Sequence, residues 1–345
     1  MLKAECRFPV GAPEPLLSTI CSHFGEHGTV RRRASAGHVA LPYGRFTMAA
    51  SGGDLLVRAR SRDESGLIYV KTGIVEHLRA FAGDALPPVR WTGDGPVAGT
   101  PAFWREMRVV DAFDVTPSMR RVVLAGTDLH RFETGGLHVR LFFPPEGRPL
   151  RGPVLGEDGC PIWPSGEDVL TPRVYTIRKI DAARGEVAID ILRHDGDRTP
   201  GSAFAANARP GDAVGMAGPL GDEGPPPFRR LFLFGDETAI PAIDRILRCL
   251  PADATAQVVI EVAGADEEQP LSSPAAFDVT WHHRDRQGRL AEVAERLAPG
   301  HVGTDGYVWA GCEYRDFAAI RRHCRGTLKL DRDRHQVVAY WRREG

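Results

Sequence analysis

Six cysteines in 345 residues are too few and too scattered to build a sulfur-based centre. Cys6, Cys21, Cys160, Cys249, Cys312 and Cys324 contain no Cys-x-x-Cys pair, so neither zinc nor an iron–sulfur cluster finds grouped ligands. They read as free, buried thiols of a reducing compartment. His23 with His27, and His282 with His283, lack partners at metal spacing, so packing or surface roles are expected and no metal site is assigned. No apolar run approaches the roughly 20 residues that cross a bilayer, which argues against membrane insertion. Glu5 and Arg7 stand where a secretory leader needs an apolar core, so the expected location is cytoplasmic. Lysine and arginine number 44 against 45 aspartates and glutamates, and a net charge of −1 gives no basic field for nucleic acid. What remains is an ordinary globular composition, long enough for two or three domains with proper cores.

The patterning divides the chain into a small α+β unit, a linker, a β-barrel and an α/β half. Residues 1–83 alternate strands with two amphipathic helices, one striped by Leu16, Leu17, Ile20 and Phe24, the other by Leu67, Val70, Ile74, Leu78 and Phe81. Residues 84–102 hold four prolines and three glycines with no apolar period, and read as a linker. From 103 to 224, short evenly spaced strands with few helical stretches predict an antiparallel β-barrel. Its excursion from Pro144 to Thr171 reads as a long loop that could cover a ligand. From 228 to 345 the continuous apolar run Arg230-Leu-Phe-Leu-Phe234 and alternating helices predict a doubly wound, parallel α/β domain.

Arg173-Val-Tyr-Thr-Ile-Arg178 is the densest chemical stretch. On an extended strand Arg173, Tyr175 and Ile177 share one face, and Thr176 and Arg178 the other. Such a strand can offer a guanidinium to a pyrophosphate, a flat ring to a flavin and a hydroxyl to a ring nitrogen. It also suits a half-solvated sheet with ordinary cross-strand pairs. Thr199-Pro-Gly-Ser-Ala-Phe204 opens a short helix whose N-terminal amides could take a phosphate, or it is a plain capped turn. Gly235-Asp-Glu-Thr238 has two carboxylates where a dinucleotide would meet repulsion, so its composition favours a capped structural helix. Tyr307-Val-Trp-Ala-Gly-Cys-Glu313 ends a strand and opens another helix.

Arg173-x-Tyr-Thr-x-Arg178, Gly235-Asp-Glu-Thr-Ala-Ile-Pro-Ala-Ile243 and Tyr340-Trp-Arg-Arg343, in that order, resemble the siderophore-interacting protein family from about Phe103 to the end. These are FAD-dependent ferric-siderophore reductases of ferredoxin-reductase-like architecture. The first 83 residues resemble a small bacterial domain of unknown function sometimes fused to them. The resemblance implies Arg173 and Arg178 on the FAD phosphates, Tyr175 against the isoalloxazine or ribityl chain, Ile177 within the same strand, and Thr176 near flavin N5. Tyr175 and Thr176 thereby become the catalytic candidates. A second flavin element would run from His194 through Gly201, Ser202 and Ala203 to Phe204, where the family generally has Trp. Asp236, Thr238 and Ala239 would line a nucleotide turn, binding through Thr238 and backbone amides. Cys312, where the family generally has Gly, and Glu313 would border the nicotinamide pocket, or Cys312 is a buried strand-end thiol. Trp341 would pack near the flavin or lie in an edge strand. An anionic ferric siderophore implies a basic rim, for which Arg284, Arg286, Arg289, Arg315 and Arg342 are candidates.

The expected reaction takes electrons from NADH or NADPH, or from ferredoxin as in some relatives, and delivers them to ferric iron in a siderophore. Two other readings stay open: a flavin reductase or redox partner in secondary metabolism, and a non-enzymatic siderophore-binding module with a degenerate nucleotide half.

Overall fold

Leu2–Pro9 (β1) buries Ala4, Cys6 and Phe8 and exposes Lys3, Glu5 and Arg7, and that alternation fixes one face of the first sheet. After α1 (Pro13–Phe24) come β2 (Thr29–Arg33), β3 (Ala36–Leu41), β4 (Gly44–Ser51), β5 (Asp54–Ser61), α2 (Glu64–Ala82) and β6 (Thr92–Gly93). The antiparallel sheet runs β2-β3-β4-β5-β1-β6. Its β4–β5 hairpin turns on Gly52 and Gly53, with φ of 59° and 86°, where side chains are strained and glycine is not. Leu17, Ile20 and Phe24 of α1 and Leu67, Val70, Ile74 and Leu78 of α2 close over the buried face. The structure, a computed structural model, describes every residue except 83–87, 97, 194–198, 221–227, 285–287 and 344–345. His194 and Arg286 therefore lie outside the described residues.

Three expectations about this region need correcting. Phe81, predicted as core, is 41% exposed, because it falls in the last turn of α2, beyond the sheet it would have packed on. The stretch read as a linker is structured at its centre: Val89 and Trp91 join the first core and β6 pairs with β1. The Pro144–Thr171 excursion is not simply a barrel loop, since Pro145–Leu170 clusters with Met1–Trp104 in one compact unit. Cys160 enters that core, Arg79 pairs with Asp158 at 2.5 Å, and Phe103 lies near-parallel to Tyr69 at 5.1 Å. Proline and glycine hid these contacts by breaking any periodicity.

The second unit comprises Arg105–Pro144 and Thr171–Gly345. In chain order its strands are β7 (Trp104–Asp114), β8 (Met119–Ala125) and β9 (His138–Phe143). The first unit's short β10 (Val154–Leu155) and β11 (Pro161–Ile162) intervene, followed by β12 (Thr171–Asp181), β13 (Glu186–Leu192), α3 (Pro200–Asn207) and β14 (Ala213–Leu220). The six longer strands close into a barrel in the order β12-β13-β8-β7-β14-β9, filled by Val122, Leu124, Leu141, Ile177, Ile189 and Met216. Closure removes the exposed edges that an open antiparallel sheet would leave.

Then follow β15 (Arg230–Asp236), α4 (Ile240–Arg248), β16 (Thr255–Val262), β17 (Ala276–His283), α5 (Leu290–Ala294), α6 (Pro299–Val302), β18 (Gly306–Glu313), α7 (Tyr314–Gly326) and β19 (His335–Trp341). All pair in parallel, in the order β17-β16-β15-β18-β19. The order reverses between β15 and β18, whose carboxyl ends are Asp236 and Glu313. Open parallel sheets bind their ligands outside such a reversal. Gly235 lets the following helix approach there, because a Cβ on it would lie 2.6 Å from that of Ala239.

Candidate functional site

β12 is buried on both faces at its centre. Ile177 and Tyr175 face the barrel core, and the Tyr175 ring meets Phe143 edge-on at 6.4 Å. Burial pushes the Tyr175 phenol up to about 12, opposed by the nearby Arg173 charge. Arg173 itself is exposed and donates only to the Pro172 carbonyl among the described contacts, so its charge remains available.

On the other face Thr176 is buried, with its hydroxyl 3.0 Å from Nδ1 of His138, its partner across the β12–β9 ladder. Nε2 of the same imidazole stands 3.3 Å from the Tyr340 hydroxyl, and burial pushes the Tyr340 phenol up. His138 escaped the sequence reading; only the strand register brings it opposite Thr176.

Arg178 is buried and already faces two carboxylates. It is 7% exposed and sits 3.2 Å from Asp244 of α4 and 3.9 Å from Asp190 of β13. Asp190 is also held by Arg121 at 2.6 Å, and Asp244 by Arg248 at 2.8 Å. The Arg178 guanidinium stands in a chain of alternating charges whose central members, Asp190, Arg178 and Asp244, are buried. Burial pulls its pKa down, and the two carboxylates push it back up.

Thr199 precedes α3 in extended conformation and Pro200 opens the helix. Gly201 and Ser202 are buried in its first turn, whose N–H groups have no intrahelical acceptor. A Cβ on Gly201 would overlap the Tyr175 hydroxyl, so glycine alone lets this turn lie against the β12 phenol. Ala203, the next residue, donates to the Thr199 carbonyl at 2.9 Å and is exposed. The first turn of α3 and the Arg173–Arg178 strand, separate in sequence, are therefore adjacent.

At the sheet reversal Asp236 is 3% exposed and turns both oxygens inward. Oδ1 accepts from the Thr238 amide at 2.9 Å and from the Thr238 hydroxyl. Oδ2 accepts from the Glu313 amide at 3.0 Å and from the Trp341 indole at 2.8 Å. The carboxylate feared as a repeller of phosphate is instead the clamp joining the ends of β15, β18 and β19. The same bonds take up the Thr238 amide and hydroxyl expected to hold the nucleotide. Ala239 is fully buried against Gly235. Cys312 is 1% exposed and its thiol is pushed up by burial and by Asp236, which makes it an inert packing thiol. Glu313 caps α7, accepting from the Arg315 amide at 2.6 Å, and also accepts from the Arg343 amide at 3.2 Å.

The proposed basic rim is uneven. Arg284 is neutralised by Glu237 at 2.7 Å and Glu261 at 2.8 Å, and Arg289 by Asp316 at 2.9 Å. Arg315 and Arg342 are exposed, the latter stacked 3.8 Å above the Tyr314 ring.

Comparison with known proteins adds a consistent set of likenesses. Residues 108–223 match the siderophore-interacting FAD-binding domain, 228–344 the siderophore-interacting protein model, and 5–92 an uncharacterized family conserved in bacteria, DUF2218. The ferric vibriobactin reductase ViuB of Vibrio cholerae is 31% identical over 235 residues, 66% of this chain and 86% of that protein. The NADPH-dependent ferric-chelate reductase of Escherichia coli is 30% identical over 244 residues, 69% of this chain and 92% of that one. The crystal structure of the siderophore-interacting protein SipS from Aeromonas hydrophila superposes with a TM-score of 0.58 at 30% identity, covering 72% of this chain and 93% of that structure.

Proposed function

The chain belongs to the siderophore-interacting protein family, and on that premise we propose that it is an FAD-dependent reductase passing electrons from NADPH to a ferric siderophore in the cytoplasm. The observation that carries the reading is the meeting of Tyr175 with the Gly201 turn, on a closed barrel that precedes a parallel sheet. It fits FAD chemically. A dianionic pyrophosphate finds an exposed guanidinium in Arg173 and the first-turn amides of α3, while Tyr175 supplies an aromatic surface. When bound, FAD supplies hydride acceptance and single-electron delivery.

The chain's own residues bind, orient and exclude water. Thr176 offers a buried hydroxyl whose direction is fixed by His138, itself oriented by Tyr340. Glycine at 201 keeps the helix turn and the phenol close enough to grip one ligand. The Asp236 clamp shapes the sheet reversal where NADPH is expected. Arg342 and Arg315 are the rim cations open to an anionic siderophore. Ferric iron is substrate, and its reduced form binds hard oxygen donors more weakly, so one-electron reduction loosens the chelate.

An anaerobic titration tests the whole reading. The purified protein should be yellow, bleach with NADPH, and recover its colour on addition of a ferric siderophore. Gly201→Ala should fold yet hold FAD at least about tenfold more weakly, because the methyl forces Tyr175 aside. A colourless chain unable to take up added FAD would sink the proposal. Reduction by ferredoxin but not NADPH would retain the flavin and replace the donor.

A further inference from the structure

The first unit contains a side-chain cluster that siderophore reduction does not use. His23 lies in the last turn of α1, His27 in the turn after it, and His77 on α2. A ring nitrogen from each comes within 4.8 Å of the other two. Nε2 of His23 and Nε2 of His27 are 3.2 Å apart, held by a hydrogen bond in which one imidazole donates to the other. Two nitrogens bound to one tetrahedral ion at about 2.05 Å would stand about 3.3 Å apart. The spacing that a shared proton maintains is thus the spacing a shared cation needs.

The third ring is prepared in the same way. Nδ1 of His77 donates to the Gly73 carbonyl one turn back on α2. That bond fixes the tautomer and leaves Nε2 with its lone pair, the outer-shell device usual for metal-binding imidazoles. The rings are also braced: Phe24 lies 4.6 Å from His77, and the exposed Phe81 lies 5.8 Å from His23. His23 and His77 are half-buried while His27 is exposed, so an ion has a path in and a position left for water. Neither carboxylate nor thiolate belongs to the set, a composition suited to Zn(II), Co(II) or Fe(II) rather than Mg(II) or Ca(II).

We propose that His23, His27 and His77 form a three-imidazole site for a borderline divalent cation, with a fourth coordination position open to solvent. Sequence spacing showed only the first two, since the third arrives by helix packing from α2. The test titrates the full-length protein with Zn(II) against a chromophoric chelator, and anaerobically with Fe(II). One ion per chain is expected for at least one of the two metals. His27→Ala and His77→Ala should each weaken binding at least about tenfold, and His130→Ala, an exposed histidine of the second unit, should leave it unchanged. X-ray absorption at the bound metal should show nitrogen and oxygen donors only. His27 is exposed, so its removal spares the core, and an unchanged unfolding temperature verifies this. Equal affinity in wild type and His27→Ala, a sulfur donor at the metal, or failure of both metals to bind would overturn the site.

Discussion

Asp236 is a carboxylate surrounded by donors and still reluctant to ionise. The Thr238 amide and hydroxyl, the Glu313 amide and the Trp341 indole all favour the charged form, yet burial outweighs them and lifts the pKa from 3.8 to about 6. The folded state therefore binds a proton more tightly than the unfolded chain. By linkage, stability from this group is fully present below about pH 4 and is lost as pH rises through about 6, a change of roughly 3 kcal/mol. Asp236→Asn should flatten that part of the pH profile. It should also cost about 1–3 kcal/mol, because its amide turns a donor toward donors. Urea unfolding of both proteins from pH 4 to 7 checks this, and parallel profiles would refute the assignment. The sequence shows an acidic turn here but not its use. Two of its partners, Glu313 and Trp341, lie 77 and 105 residues away, beyond the reach of local pattern.

β12 illustrates which elements were legible. Its alternation over Arg173–Arg178 predicted a strand, which the structure extends to Thr171–Asp181, because side-chain period is a local property. What covers the outer face of a strand is not local. Sequence alone shows Arg178 without Asp244, because α4 packs there only after the barrel and the parallel sheet meet within one unit. The charges Arg121, Asp190, Arg178, Asp244 and Arg248 alternate in sign, so removing different members has unequal consequences. In Arg178→Met each carboxylate keeps another arginine, and a loss of about 1–2 kcal/mol is expected. In Asp244→Ala the buried guanidinium keeps only Asp190 at 3.9 Å, and the loss should reach about 3–5 kcal/mol. Denaturant unfolding ranks the two. Flavin content separates structure from ligand binding: Arg178→Met should retain FAD, and a stable but colourless variant would return Arg178 to the phosphate.

Over the whole molecule, chain order and compact units do not coincide. The family likeness begins near residue 108, so a cut before Arg105 looks natural from sequence alone. Yet Pro145–Leu170, inserted between two barrel strands, belongs with Met1–Trp104. Leu155 and Cys160 are 6% and 7% exposed, Cys160 within the first core, and Asp158 is paired with Arg79. The segment has only the two-residue strands β10 and β11 of its own, too little to bury those side chains unaided. A chain lacking residues 1–104 should therefore expose this insertion while the barrel and parallel sheet, which form the other unit, still fold and bind FAD. Trypsin has a site at Arg151, within the segment, whereas the Arg148–Pro149 bond resists it. Cleavage there should be at least about tenfold faster in the shortened chain, since proteolysis follows the population of open states. Mass spectrometry of the first fragments locates the cut. Equal protection in the two chains would mean that the insertion holds its structure without the N-terminal residues, and that the first unit ends where the sequence suggests.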